Sequence, residues 1–146
     1  MRRSYVAINV MLSLMLLVAG EAFGAGKVAV IVNSSNGQGV TLADIKSIYS
    51  DQMVAWQNGN KIDVYNLPPD DVNREVFARK VLSVSAQDAA AAESNRRITN
   101  SARNPQEVKR DKLVASIVSR TPGAIGYVPV GEVEGKIGIR VVMTLE

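Results

Sequence analysis

The chain has 146 residues, room for one domain of ordinary size around one packed core. Seventeen basic against 14 acidic residues give a formal charge of +3, too small to argue for nucleic acid, and the signs mix along Arg74–Lys80 and Lys109–Lys112 as on solvated helix faces. The absence of Cys and His excludes disulfides, thiolate nucleophiles, Cys-based zinc sites, a lipid anchor at an export junction and the usual general base at neutral pH, so neither a cofactor nor an enzymatic activity is expected.

Arg2 and Arg3 open the chain, and Val10–Ala19 follows as an apolar run broken only by Ser13. Ala22-Phe23-Gly24 then sets small residues at the −3 and −1 positions of a cleavage site. The run is shorter than the roughly 20 residues that span a bilayer. Residues 1–24 read as a cleavable signal ending at Gly24/Ala25, and residues 25–146 as the mature domain. The periplasm is the expected destination; secretion, or anchoring by an uncleaved signal, is the alternative.

Lys27–Asn33 is β-branched and apolar with little alternation, the pattern of a strand buried on both faces. Ser34–Gly39 is a polar loop. Thr41 can cap a helix over Leu42–Ser50, with Asp44 in its first turn and Leu42, Ile45, Ile48 and Tyr49 on one face. Asn58-Gly59 marks a turn, and Lys61–Asn66 alternates as a second strand. Pro68-Pro69-Asp70-Asp71 stops it and offers an Asp to cap a helix over Val72–Ser83, whose stripe is Val72, Val76, Phe77, Val81 and Val84.

Gln87–Asn100 is rich in helix formers, but only Ala89, Ala92, Arg96 and Thr99 align, which predicts a peripheral helix broken at Asn104-Pro105. Asp111–Arg120 carries Leu113, Val114, Ile117 and Val118 at helical spacing, with Pro122-Gly123 just beyond its end. Ala124–Val130 and Lys136–Leu145 close the chain as strands. Strands alternating with helices imply an α/β three-layer sandwich with a mostly parallel or mixed sheet.

Three segments in series then carry a resemblance. Val40–Tyr49, followed by Trp56-Gln57-Asn58-Gly59, is similar to the "L-T-x-x-x-L-A-D-I-Y-x-G…W-N" stretch of the phosphate-binding proteins of ABC transporters. Asp63-Val64-Tyr65 and the helix through Phe77 and Leu82 fit the strand and helix that come next there. Thr121–Val128 is similar to the family's "T-P-G-(S/A)-I-G-Y-V". The order and spacing agree over residues 28–130. Those proteins have two lobes with the anion between them, and this chain is long enough for one. The resemblance therefore implies one lobe of a type 2 periplasmic binding protein, a PBP-like domain.

In the two-lobed proteins, the strand matching Ile62–Tyr65 leads into "R-S-D-G-S-G-T", which contacts phosphate through its Arg, hydroxyls and backbone amides. Here the stretch reads Asn66-Leu67-Pro68-Pro69-Asp70-Asp71-Val72-Asn73-Arg74. Helix N-termini attract anions, but Asp70 and Asp71 put like charge there. The candidate ligand-binding residues are Ser34, Ser35, Gly37 and Gly39, whose loop follows a strand and could offer amides to an anion, and Arg74, which could replace the missing cation. The plainer readings are a solvated loop and, for Arg74, a surface pair with Asp70. Trp56 is expected to pack over its own core, and Thr121–Tyr127 to be structural.

Two functions follow. One is a non-enzymatic periplasmic solute-binding domain with an altered phosphate motif, holding phosphate or another small anion weakly. The other keeps the fold without phosphate binding and contacts a membrane transporter or sensor protein.

Overall fold

The computed structural model describes residues 26–99 and 106–146. The expected export signal, with its Gly24/Ala25 junction, lies outside the described residues, as does the Asn104-Pro105 break. The strands are β1 (Val28–Asn33), β2 (Asp63–Asn66), β3 (Glu107–Val108), β4 (Ala124–Pro129) and β5 (Ile139–Leu145). They form one sheet in the order β3-β2-β4-β1-β5. All six residues of β1 are buried, as the apolar run predicts, because the strand has a neighbour on each side and helices on its faces.

The sheet is mixed. β1 runs antiparallel to both β4 and β5, while β2 is parallel to β3 and β4. The carboxyl end of β1 therefore lies at the opposite end of the sheet from those of β2 and β4. β2 is also shorter than the alternation suggests. It begins at Asp63, while Lys61 instead bridges Ala55 across the Asn58-Gly59 turn, where Gly59 takes φ +85°.

Alternation along β4 defines the layers. Gly126 points at α4 (Asp111–Arg120), and a Cβ there would sit 2.5 Å from Val114 Cγ1. Tyr127 points the other way and stacks on Phe77, with centroids 3.9 Å apart and planes 4° from parallel. Tyr49 meets the same Phe77 edge-on at 4.6 Å. So α4 covers one face of the sheet, and α1 (Leu42–Tyr49) and α2 (Val72–Phe77) cover the other, giving a three-layer α/β/α sandwich.

The helices start where their caps predict and bury slightly different faces. On α1, Thr41 Oγ1 accepts from Asp44 N at 3.2 Å, and Asp44 Oδ2 accepts from Thr41 N at 2.8 Å, a reciprocal capping box. Ile45, Ile48 and Tyr49 are buried, but Leu42 is exposed, so the stripe begins one turn later than its spacing suggests. Asp71 caps α2 by accepting from Asn73 N at 2.8 Å.

Beyond Phe77 the helix widens into a π-helical turn, Ala78–Leu82, closed by Ser83 in the left-handed region. The wider turn shifts the phase. Phe77, Ala78 and Val81 are buried, whereas Val72 and Val84 are exposed. On α4, Val114, Ala115 and Val118 are buried, and Leu113 is exposed.

α3 (Ala86–Thr99) departs most from its expected stripe. Among its residues only Ala86 is buried, while Ala92 and Thr99 are exposed. The inward row runs instead through Ala89, Glu93 and Arg96, so the helix docks by polar groups. Among the described residues, no helix is long and apolar enough to cross a membrane.

Candidate functional site

The Ser34–Gly39 loop leaves the carboxyl end of β1 and spends most of its polar groups on its protein neighbours, chiefly Asn33, Gly138 and Arg140. Ser35 donates to Asn33 Oδ1 through both its amide (2.9 Å) and its hydroxyl (2.7 Å). Asn33 Nδ2 in turn donates to Val118 O at 2.8 Å. Ser34 N is taken by Gly138 O, Asn36 N by Asn33 O, and Gln38 N by Asn36 Oδ1. Arg140 clamps the loop from β5, donating to Asn36 O at 2.8 Å and to Gln38 O at 2.6 Å. Ser34, Ser35, Gly37 and Gly39 are exposed. Asn36 Nδ2 is a buried donor without a partner among the described residues.

Arg74 lies elsewhere. It sits on α2, after the carboxyl end of β2, so the antiparallel run of β1 puts it at the opposite end of the sheet from the Ser34–Gly39 loop. The structure does not bring the five candidate residues together. Nor does Arg74 pair with Asp70 on the surface. Its side chain is 3% exposed, donating to Leu67 O at 2.9 Å and to Glu93 Oε2 at 3.3 Å. A buried guanidinium needs such partners, because leaving it unpaired away from water is costly. Glu93 is shared, since its other oxygen accepts from Arg97 at 2.8 Å.

Sequence reasoning missed this network. Tyr49 O, at the end of α1, accepts from Arg96 Nη2 (3.2 Å) and Gln106 Nε2 (2.9 Å). Gln106 Oε1 accepts from Asn66 Nδ2 at 2.6 Å. Asn66 Oδ1 accepts from Leu67 N at 3.1 Å and from the Tyr127 hydroxyl. The one signal available was the i,i+4 spacing of Glu93 and Arg97, which also fits an ordinary solvated helix face. Burial pushes the Tyr127 and Tyr49 phenols well up, so both stay protonated at physiological pH. The Tyr49 hydroxyl donates to Tyr65 O at 2.7 Å. These groups hold the fold together and are not poised to exchange protons.

The start of α2, where the resemblance places phosphate, opens onto a cleft of about 390 Å³ lined by Pro68, Asp70, Asp71, Arg110 and Asp111. Three carboxylates face one guanidinium there. Asp71 accepts from Asn73 N, the second amide of the helix, and so already takes one of the donors an anion would use. Trp56 packs over the core as expected, 4% exposed, with its indole N–H donating to Gly123 O at 3.0 Å. Among the described residues, no cluster of acidic side chains could hold a metal ion.

Comparison with known proteins places this geometry. A family model described as a PBP superfamily domain matches residues 18–141. None of the curated proteins matches the chain. Among solved structures, the chain is similar to an ABC-type phosphate transport receptor from Vibrio cholerae, at 17% identity and a TM-score of 0.61. It is also similar to a protein from Clostridium perfringens described as a phosphate ABC transporter substrate-binding protein with bound phosphate, at 16% identity and a TM-score of 0.57. Each match covers 80% of this chain and 45% of the other, so the chain spans about half the length of these relatives. It belongs to the PBP superfamily domain family and is folded as one lobe of a type 2 periplasmic binding protein.

Proposed function

We propose that the mature chain is a non-enzymatic periplasmic domain that keeps one lobe of the binding-protein fold without phosphate binding, and that it works by contacting a membrane transporter or sensor protein. The observation that supports this reading is the fate of the cations and amides. Arg74, the candidate replacement for the phosphate-contacting Arg, is committed to Leu67 O and Glu93. The α2 terminus is capped by Asp71, beside Asp70 and across from Asp111. A phosphate arriving there would meet carboxylates, and a single lobe leaves water competing for its outer oxygens.

Calorimetric titration with inorganic phosphate tests the reading. No functional binding is expected, and any residual association should be no tighter than about 100 µM, or about −5.5 kcal/mol. Replacing Asp70 and Asp71 together with Asn should tighten it. Micromolar binding by the unmodified protein would overturn the reading.

The second reading, a weak small-anion binder, draws on the Ser34–Gly39 loop. There Asn36 Nδ2 is buried without a partner among the described residues, and two serines and two glycines lie exposed. Under that reading, phosphate binding exists and falls on Asn36→Ala, while the Asp70/Asp71 variant leaves it unchanged.

A further inference from the structure

α3 lies across the fold without filling the space beneath it. Between α1, the π-helical turn and α3 is a cleft of about 160 Å³, separate from the acidic opening at the start of α2. A cavity of about 150 Å³ accommodates a six-carbon ring, so the space suits a ligand of roughly six to eight heavy atoms.

Its walls are of two kinds. Leu82, Val84, Ala89 and Ala92 supply aliphatic surface. Lys46, Arg74 and Arg96 line it together with the single carboxylate of Glu93. That carboxylate is already balanced by Arg74 and Arg97.

We infer that this cleft binds a small aliphatic carboxylate. Its head would meet Arg96 and Lys46, and its short chain would lie on Leu82, Val84 and Ala92. The inference goes beyond the function proposed above and does not rest on it. A monoanion fits better than phosphate. The aliphatic wall rewards a hydrocarbon tail that phosphate lacks, and the Glu93 carboxylate disfavours a second negative charge. Concave, largely apolar clefts with a few polar groups are where small ligands bind.

The test is a titration of the purified protein with sodium pentanoate to about 20 mM, followed by amide chemical shifts, with pentanol and inorganic phosphate as parallel arms. Pentanoate should saturate with a dissociation constant near or below about 1 mM, moving the signals of Lys46, Ser50, Leu82, Ala89 and Ala92. Pentanol and phosphate should each bind at least about tenfold more weakly, because one lacks the charge and the other the tail. Ala92 is exposed on α3, so Ala92→Trp fills the cleft without cutting into the core, and it should weaken pentanoate at least about tenfold. The Lys46→Ala, Arg96→Ala double variant should narrow the gap between pentanoate and pentanol. Any of three results overturns the inference: no saturable shift with pentanoate, equal affinity for pentanol or phosphate, or indifference to both variants.

Discussion

Gly126 shows how one missing side chain sets the distance between two layers. β4 and α4 approach so closely that a Cβ at Gly126 would lie 2.5 Å from Val114 Cγ1 and 3.5 Å from Val118 Cγ2. Both neighbours are β-branched, buried and stiff at χ1, so neither can swing aside. Gly126→Ala should therefore cost about 1–3 kcal/mol by overpacking, read as a lower midpoint in urea unfolding. The opposite fault is expected on α1. Ile45 is fully buried, and Ile45→Ala should cost about 2–5 kcal/mol, whereas the exposed Lys46→Ala should move stability by less than about 0.5 kcal/mol. Equal losses at the two positions would mean that α1 is rotated about its axis.

Helix α3 is held at its first turn by a side chain from another element. Glu75 on α2 accepts from Ala86 N at 2.8 Å and from Arg79 Nε at 2.7 Å. The backbone bond to Ala86, then the Arg79 contacts, hold its carboxyl below the usual glutamate range. A lowered folded-state value means that the charged form is favoured by folding. The stabilisation is present above the unfolded-state value and is lost as pH falls through the folded one. The stability gap between the protein and its Glu75→Gln variant should thus be full at neutral pH and close in acid below the ordinary glutamate range. Thermal melts across pH 2–7 would show it, and a gap independent of pH would assign the effect to packing. The same element shows where the sequence stops being readable. Cap residues and the limits of α4 are legible because they depend on neighbours in the chain. The inward face of α3 is not, because it is polar and its partners Arg74 and Tyr49 arrive from two other helices.

At the scale of the molecule, the alternation of strands and helices and the three matching segments are enough to recover the family and the layered fold. The direction of β1 is not recoverable, since an apolar run pairs equally well in either sense. That one direction separates Arg74 from the Ser34–Gly39 loop and decides that the two cannot share a ligand.

What Arg74 does instead can be tested as a linkage between α2 and α3. Its side chain is 3% exposed and that of Glu93 12%, so removing the carboxylate leaves a buried cation whose remaining acceptor among the described residues is Leu67 O. Glu93→Ala should cost about 3–5 kcal/mol, chiefly the penalty of the charge left behind. Arg74→Met alone should cost less, because Glu93 keeps Arg97 and more access to water. The double variant Arg74→Met, Glu93→Leu should recover most of the loss, since apolar side chains of similar size can replace a buried pair at little net cost. Urea unfolding of the four proteins closes the cycle. Additive losses would show that the pair is not coupled and that other contacts, such as those of Glu75 and Arg96, hold α3.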